Sequence, residues 1–256
     1  MKKPHWVIEK EQARRASAAE TLWLFGLHAV RDALANPRRD RVRLILTPNA
    51  RDKLADAVAA SGMEPEIADP RRFPAVLDPG SVHQGAALEA RPLSWGTLAD
   101  HATGGDARLV LLDRVSDPHN VGAILRSAEV FGARAVVGVE RHAAPETGAL
   151  AKAASGALER QPYLRVKNLA RAIAELQAAG FTVLGLDGDA EATVGEAAGA
   201  LRGRPVALVM GAEGPGLREG TRAACDRLVR IPAAGAFGSL NVSNAAAVAL
   251  YALQNG

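Results

Sequence analysis

Residues 109–122 of this chain read LVLLDRVSDPHNVG and contain a predicted strand, a turn and the start of a helix. The run Leu109–Asp113 is apolar without alternation, which is typical of a strand covered on both faces of a parallel sheet. Pro118 restricts the residue before it to extended backbone, so Asp117-Pro118 predicts the turn. A strand that continues through such a turn into a helix is the building unit of open α/β sheets, whose ligand sites lie at the carboxyl ends of strands.

The same alternation of strands and helices continues to the end of the chain. Strands are predicted at 135–139, 162–166, 181–186, 206–210 and 228–231, and helices at 121–131, 146–155, 169–179, 218–224 and 243–254. This pattern predicts an α/β domain over residues 108–256, with a parallel sheet that has helices on both faces. The last helix is apolar nearly all round and is therefore predicted to be buried.

Residues 21–92 predict a second, smaller α/β domain. It begins near Leu22, and the stretch Phe25–Val30 (FGLHAV) opens a helix that Asn36-Pro37 ends. Residues 93–107 carry Gly96, Gly104 and Gly105 and predict a linker. Residues 1–20 are polar and basic and predict a flexible tail.

The composition is that of a protein with an aliphatic core, because 48% of the 256 residues are hydrophobic and only 4% are aromatic. Cys225 is the single cysteine, so an internal disulfide and a cysteine-based zinc site are both excluded. The charged N-terminus does not resemble a signal peptide, and the longest apolar run, Ala245–Leu253, is too short to span a bilayer. These features predict a cytoplasmic protein without a metal.

The positive charge lies in the N-terminal part. Residues 1–94 hold 15 basic and 12 acidic residues, whereas residues 95–256 hold 16 of each. A basic module joined to a neutral one indicates that one half binds a polyanion and that the other half carries out the reaction. The residues predicted to bind the polyanion are Arg38, Arg39, Arg41 and Arg43. The alternative is a solvated, arginine-rich surface without a binding role.

The turn after the first predicted strand carries two candidate functional residues. Asn120 either caps the following helix, a common use of asparagine, or turns its amide to a pocket at the strand end. Arg126 lies opposite the apolar stripe of that helix, one turn after Gly122, which leaves room for a ligand. The alternative for Arg126 is a surface ion pair with Glu129, which contributes only about 0.5 kcal/mol.

A second turn, Gly211–Gly216 (GAEGPG), follows the apolar strand that ends at Met210. Glycine allows close approach of the backbone to a ligand, although an ordinary wide turn is the alternative. The stretch lacks the Lys-Ser/Thr of a phosphate-binding loop, and its glycine order is not that of a dinucleotide site. Glu213 is predicted to be buried and to face a cationic or hydrogen-bond-donating partner.

A third stretch, Gly238–Asn244 (GSLNVSN), leads into the last helix. Ser243 is the predicted N-cap of this helix. Ser239 and Asn241 are polar groups beside a hydrophobic helix, where each would cost about 1–3 kcal/mol if it were buried without a partner. They are therefore predicted to bond the backbone, each other or a ligand.

With these three motifs in order, the chain resembles the SpoU (TrmH-like) class of the SPOUT RNA methyltransferases. The stretches Phe25–Val30 and His83-Gln84-Gly85 resemble the N-terminal, ribosomal-protein-L30e-like RNA-binding domain of the subgroup that modifies 23S ribosomal RNA. The resemblance implies 2′-O-methylation of ribose with S-adenosylmethionine, a trefoil knot near the C-terminus and an obligate homodimer. His83 and the four arginines are the predicted RNA-binding residues.

The resemblance also implies roles for residues at matching positions. Asn120, Arg126, Glu213, Ser239 and Asn241 fall at catalytic positions of the family. The cofactor positions are Met210, Gly211, Gly216, Ile231 and Leu240. The chain departs from the family pattern at Phe237, where relatives often carry a small or polar residue.

Three functions remain open from the sequence. The favoured one is 2′-O-methylation of a guanosine in 23S ribosomal RNA, because transfer-RNA-directed relatives tend to lack the His83-Gln84-Gly85 type of domain. The second is methylation of transfer RNA. The third is a non-catalytic RNA-binding or ribosome-assembly factor on the same fold.

Overall fold

The computed structural model describes residues 21–69, 73, 82–235 and 238–256. The predicted tail 1–20 and Phe237 lie outside these residues. The described chain forms two compact units. One comprises the residues up to Ser94 together with Glu146–Lys152, and the other comprises Trp95–Pro145 and Ala153–Gly256.

The N-terminal unit contains a four-stranded mixed sheet. Its elements are β1 (Leu22–Phe25), α1 (Leu27–Ala35), β2 (Arg41–Leu46), α2 (Pro48–Lys53), α3 (Ala55–Ser61), β3 (Glu66–Ile67) and β4 (Ala86–Ala90). The strand order is β1-β4-β2-β3, with β4 antiparallel to both β1 and β2. The prediction missed β1, because its four residues directly precede the helix at Leu27 and show no alternation.

The C-terminal unit contains a six-stranded sheet in the order β10-β8-β9-β5-β6-β7. Its strands are β5 (Arg108–Asp113), β6 (Ala135–Val139), β7 (Tyr163–Val166), β8 (Thr182–Leu186), β9 (Val206–Gly211) and β10 (Arg227–Val229). Every neighbouring pair is parallel. The predicted parallel sheet is therefore confirmed.

Helices cover this sheet on both faces. They are α4 (Leu98–His101), α5 (Pro118–Val130), α7 (Leu169–Ala178), α8 (Val194–Ala200), α9 (Glu219–Ala224) and α10 (Val242–Asn255). Helix α6 (Gly148–Ala154) lies mostly within residues 146–152, which belong to the N-terminal unit. The core on one face joins α7 to alternate strand residues such as Leu109, Val137 and Val183. On the other face α10 packs against α5, α8 and β9. The predicted burial of the last helix is confirmed for its apolar side, whereas Val248 and Tyr251 are exposed.

Two helices begin earlier than predicted. The N-cap of α5 is Asp117, whose Oδ1 accepts a hydrogen bond from the His119 amide at 3.0 Å. Pro118 is acceptable at the first helical position because the amide it lacks has no intrahelical partner there. The N-cap of α10 is Asn241, whose Oδ1 accepts from the Ser243 amide at 2.9 Å. The predictions that Asn120 and Ser243 are the caps are therefore wrong.

Helix α8 was not predicted, since Gly195 and Gly199 lower the helix propensity of its seven residues. Its start nevertheless carries a reciprocal capping box between Thr193 and Glu196. The predicted linker contains α4, which begins with the same kind of box at Thr97 and Asp100. In both places Thr-x-x-acid was the available signal.

Candidate functional site

The site lies at the carboxyl ends of three adjacent parallel strands. β5 ends at Asp113, β9 beside it ends at Gly211, and β8 on the far side of β9 ends at Leu186. Segments that are distant in sequence follow these strands and meet here. This is the edge at which the strand–turn–helix pattern predicts a ligand site.

One side chain joins the three motifs. Asn241 Nδ2 donates to Asn120 Oδ1 at 3.0 Å and to Glu213 Oε1 at 2.6 Å. Asn120 and Asn241 are 121 positions apart in the sequence, and each comes from a different motif. The structure therefore brings together three of the five predicted catalytic residues.

The amide of Asn241 is held on its oxygen side as well. Asn241 Oδ1 accepts from the backbone amide of Ser243 at 2.9 Å and from Ser243 Oγ at 2.6 Å. Because a side-chain amide has one donor end and one acceptor end, these four bonds fix which end faces Asn120 and Glu213. Ser243 is thus a positioning residue for the network, a role that the sequence pattern did not show.

The burial of these residues differs from the prediction. Asn120 is buried, with 8% of its surface exposed. Glu213, predicted to be buried, is exposed, because its turn projects beyond the end of β9. Ser239 and Asn241 are also exposed. The predicted cost of burying them does not arise, and their polar groups are available to a ligand.

A cleft of about 500 Å³ opens beside the network. All five predicted cofactor-binding residues line it, as do Glu213 and Ser239. Those five are Met210, Gly211, Gly216, Ile231 and Leu240. Its volume lies in the range of small-molecule sites.

The glycines of the second motif shape this cleft through the backbone. A Cβ on Gly211 would lie 2.2 Å from the carbonyl carbon of Gly216 and 2.4 Å from the Leu217 nitrogen. The turn therefore folds back tightly on the strand end. It is closed by a hydrogen bond from the Gly216 amide to the Ala212 carbonyl at 2.9 Å, and Gly214 and Gly216 have positive φ.

The sequence reasoning missed the acidic segment Asp187-Gly188-Asp189, which lines the same cleft after β8. Asp187 forms an ion pair with Arg222 at 2.8 Å and accepts from the Asp189 amide at 3.0 Å. Asp189 is exposed. The available signal was its position, because it too follows a buried strand.

A second ion pair holds the turn of the second motif against β5. The Asp113 side chain is fully buried and accepts from the Arg218 backbone amide at 3.0 Å and from Arg218 Nε at 2.7 Å. The two residues are 105 positions apart. Because one carboxylate binds both the backbone and the guanidinium, it fixes the start of α9 and the direction of Arg218.

Arg126 stands apart from the cleft. It is exposed on α5 and has no hydrogen bond or ion pair within the described part of the chain. Glu129, the alternative partner, instead binds Arg160. The surface-pair alternative is therefore wrong, and the guanidinium is available to a ligand.

The predicted RNA-binding arginines of the N-terminal unit are engaged in contacts with the protein. Arg39 is only 2% exposed and donates to the Arg91 carbonyl at 2.7 Å. Arg41 donates to the Leu34 carbonyl at 2.7 Å, and Arg38 to that of Ser94 at 3.0 Å. The structure gives no support for an RNA contact by Arg39, whose guanidinium has no surface to offer.

Arg43 lies in the same strand and is also paired. Its Nε and Nη2 each donate to a Glu66 carboxylate oxygen at 2.7 Å. This hydrogen-bonded pair lowers the pKa of Glu66. His83 is half-buried, stacks on Phe73 and accepts from the Gly85 amide through Nδ1 at 3.1 Å.

Comparison with known proteins places the chain in a family. Residues 107–251 match the SpoU rRNA Methylase family, and residues 23–95 match the RNA 2′-O ribose methyltransferase substrate binding domain. The chain belongs to the SpoU rRNA Methylase family.

Individual relatives cover nearly all of the chain. The 23S rRNA (guanosine-2′-O-)-methyltransferase RlmB of Ralstonia nicotianae is 40% identical over 235 residues, which is 89% of this chain and 93% of that protein. The protein of the same name from Escherichia coli strain K12 is 36% identical, over 89% of this chain and 96% of its own.

Solved structures share the fold. The AdoMet-bound rRNA methyltransferase of Sinorhizobium meliloti superposes with a TM-score of 0.78, at 24% identity over 95% of this chain and 90% of that one. The SpoU methyltransferase AviRb of Streptomyces viridochromogenes gives 0.77, at 23% identity over 94% and 91%. The expected α/β methyltransferase fold is thus confirmed.

Within the described residues, no helix is long and apolar enough to cross a membrane. The same residues contain no group of three or more His, Cys, Asp or Glu side chains arranged to hold a metal ion.

Proposed function

We propose that this protein transfers a methyl group from S-adenosylmethionine to the ribose 2′-oxygen of a guanosine in 23S ribosomal RNA, in the cytoplasm. Family membership supports the reaction class, and the names of the relatives support the substrate. The observation that carries the proposal is the Asn120–Asn241–Glu213 network, because it assembles three sequence-distant motifs at the rim of one cleft.

The cleft fits S-adenosylmethionine chemically. Apolar side chains such as Met210, Ile231 and Leu240 and the backbone of Gly211 would hold its adenosine part. Asp187 and Asp189 add carboxylates suited to its hydroxyl and ammonium groups. When bound, it would supply a methyl group on a sulfonium: the ribose oxygen would form the new C–O bond as the methyl–sulfur bond breaks, a neutral thioether would leave, and the hydroxyl proton would pass to water.

The protein's contribution to this displacement is mainly to position the reacting groups. The Asn241 amide is held by Ser243, so Asn120 and Glu213 sit in one fixed arrangement beside the cleft. We assign to these residues and to Ser239 the orientation of the ribose and of the cofactor-binding turns. Their fixed dipoles need no rearrangement as the reaction proceeds.

Arg126 is assigned to the RNA rather than to the cofactor. A guanidinium stays protonated near neutral pH and is a poor base. Its charge suits the phosphate beside the target ribose and the negative charge that develops on the attacking oxygen. Its exposure and its lack of a partner within the described residues fit this role.

The proposal includes a homodimer. Val130 of α5 is 66% exposed, and Tyr251 of α10 is 59% exposed, with Val248 one turn before it. The rings of Phe131 and Tyr251 meet edge to face at 6.1 Å, so the ends of the two helices form one apolar patch. Arg126 lies one turn before Val130 on α5, so a second copy packed on this patch would lie next to Arg126.

Two further features belong to the proposal. We assign residues 21–92 to an L30e-like RNA-binding domain and residues 108–256 to the methyltransferase domain, which the two family matches support. We also propose a trefoil knot in the methyltransferase domain, which the likeness to SpoU methyltransferase structures supports. No metal takes part in the proposed reaction.

The test is methyl transfer by the purified protein, with labelled S-adenosylmethionine and RNA from a strain that lacks the gene. We expect label in 23S ribosomal RNA, at a guanosine 2′-oxygen, and none in transfer RNA. Asn241→Ala should lower turnover about 100-fold or more, the scale found for loss of a positioned polar group. Asn255→Ala is the matched control, because it removes an asparagine from the other end of α10.

Other outcomes would contradict the proposal in distinct ways. Label found only in transfer RNA would overturn the substrate and leave the chemistry standing. Failure to bind S-adenosylmethionine at millimolar concentration in calorimetry, together with retained RNA binding, would favour the non-catalytic assembly factor. Activity restored by mixing inactive Arg126→Ala and Asn241→Ala proteins would support a site shared across the dimer.

A further inference from the structure

A second groove lies at the carboxyl edge of the same sheet, beyond the cleft. It has a volume of about 680 Å³ and is lined by the ends of β6 and β7, the start of α7 and the start of α9. Its lining shares no residue with the cleft. The proposed methyl transfer leaves this groove without a role.

Four cationic or potentially cationic side chains line the groove. Arg141 and His142 follow β6, Lys167 follows β7, and Arg218 precedes α9. Arg141, His142 and Lys167 are exposed and have no ion pair within the described residues. Among the described lining residues, Glu140 is the one carboxylate.

Arg218 differs from the other three because the protein holds it in place. Asp113 binds both its backbone amide and its Nε, which leaves the two terminal guanidinium nitrogens for another partner. Its side chain is 42% exposed. A guanidinium fixed in this way is suited to bind a phosphate without losing much side-chain entropy.

The groove is close to the cleft. β6 and β9 lie on opposite sides of β5, so their ends are about 10 Å apart at the usual spacing of neighbouring strands. Arg218 follows directly after the turn of the second motif, whose glycines line the cleft. A single strand of RNA with its ribose at the cleft therefore has backbone within reach of the groove.

We propose that Arg141, Lys167 and Arg218 bind phosphates that flank the target nucleotide of the substrate RNA. The inference rests on the proposed function and assigns to the methyltransferase domain its own RNA contacts. The ligand is a phosphodiester backbone, because the groove is lined by several separate cations and a nucleic-acid strand presents a regular series of phosphate charges.

The experiment measures RNA affinity against salt concentration for Arg141→Ala/Lys167→Ala in the full chain. The probe is unmethylated 23S ribosomal RNA transcribed in vitro. We expect binding about tenfold weaker at low salt and a slope of log affinity against log salt that falls by about 0.7 for each lost contact. With saturating RNA, kcat should stay near the wild-type value while KM for RNA rises.

The matched control is Arg134→Ala/Arg204→Ala. These two exposed arginines precede β6 and β9, at the opposite edge of the same sheet, and their loss changes the net charge by the same amount. Equal weakening by both pairs would mean that only the overall field matters, and would overturn the proposal. An unchanged slope in Arg141→Ala/Lys167→Ala would overturn it as well.

A variant that is expected to strengthen RNA binding separates the role of the groove from effects of misfolding. Glu140→Gln removes the carboxylate from the groove, so RNA binding should tighten by about two- to fivefold, which a damaged fold would not produce. Weaker or unchanged binding would contradict the groove. If wild-type protein binds RNA with these dependences yet transfers no methyl group, the proposed function fails while the groove stands.

Discussion

In the part of the chain that the structure describes, the arginines of the N-terminal unit form hydrogen bonds within the protein, whereas two cations at the C-terminal sheet edge do not. In the N-terminal unit, Arg39, Arg41 and Arg43 donate to a backbone carbonyl or to Glu66. At the C-terminal edge, Arg141 and Lys167 are exposed and have no such partner within the described residues. Within the described residues, these three arginines of the N-terminal unit are therefore bonded to the protein itself.

The difference shows that an excess of positive charge does not by itself tell which cations are available to a polyanion. A guanidinium bonded to carbonyls or to a carboxylate has fewer donors left and loses them only at a cost in stability. A neutral domain, by contrast, offers a strong local field where its cations cluster and its acids lie elsewhere. Substitutions at paired and unpaired cations should accordingly separate effects on folding from effects on function.

The largest effect is expected at Arg126, the unpaired arginine of α5. Arg126→Ala should lower methyl transfer about 100- to 1,000-fold, because the charge beside the attacking oxygen is lost. Folding and binding of S-adenosylmethionine should be unchanged, as measured by thermal unfolding and calorimetry. Arg134→Ala is the control, and near-normal turnover in Arg126→Ala would refute the assigned role.

The next effect is on stability and concerns Arg39. Arg39→Ala should lower the free energy of unfolding by about 2 kcal/mol, since it removes a buried side chain together with its hydrogen bond to the Arg91 carbonyl. Arg141→Ala, at an unpaired position, should change it by no more than about 0.5 kcal/mol. Denaturation in urea measures both, and equal losses would erase the distinction between the two regions.

A smaller effect is expected at the Arg43–Glu66 pair. Because the pKa of Glu66 is lowered in the folded protein, its contribution to stability is present above the unfolded value of about 4.3 and is lost as the pH falls through the lowered value. The thermal midpoints of wild type and Glu66→Gln should therefore converge as the pH falls below about 4. In an Arg43→Gln background, Glu66→Gln should show no such dependence, because the guanidinium that lowers the pKa of Glu66 is absent.

The smallest effect concerns Cys225, which is half-buried and whose thiol donates to the Thr221 carbonyl at 3.2 Å. Burial, helped by the charges of Asp226 and Asp113, raises the pKa of the thiol to about 11. At pH 8 the reactive thiolate is then about 100-fold scarcer than for an ordinary cysteine. Ellman's reagent should react slowly with native protein and rapidly in urea, with no change in methyl transfer before unfolding. Rapid native reaction would contradict this account.

Much of the fold could be predicted from local patterns in the sequence. The apolar strands of the C-terminal sheet and the turns after β5 and β9 follow from unbroken apolar runs and from Pro118 and the glycines of residues 211–216. Short elements were missed where the pattern is weak, as in β1 and in α8 with its two glycines. Helix starts shifted because the capping side chain is chosen by the whole turn rather than by the nearest asparagine.

The candidate site could be predicted from the sequence in part. The residues that line the cleft can be predicted from the rule that ligands bind at the ends of strands. The same rule applies to Asp187 and Asp189, which the prediction does not include. The burial of Glu213 was misjudged, because the projection of a turn depends on what packs beneath it. The position of Arg126 outside the cleft of its own chain also had no signal in the spacing of the motif.

The sequence by itself determined the strands of the C-terminal sheet, the three polar turns and hence the family, since strand periodicity and turn chemistry act over a few residues. Only the tertiary structure decided which groups meet and which remain available. Asn241 reaches Asn120 across 121 positions, Asp113 reaches Arg218 across 105, and Glu66 occupies Arg43 across 23. Such pairings depend on which strands are neighbours in the sheet. Local sequence patterns do not determine that strand order.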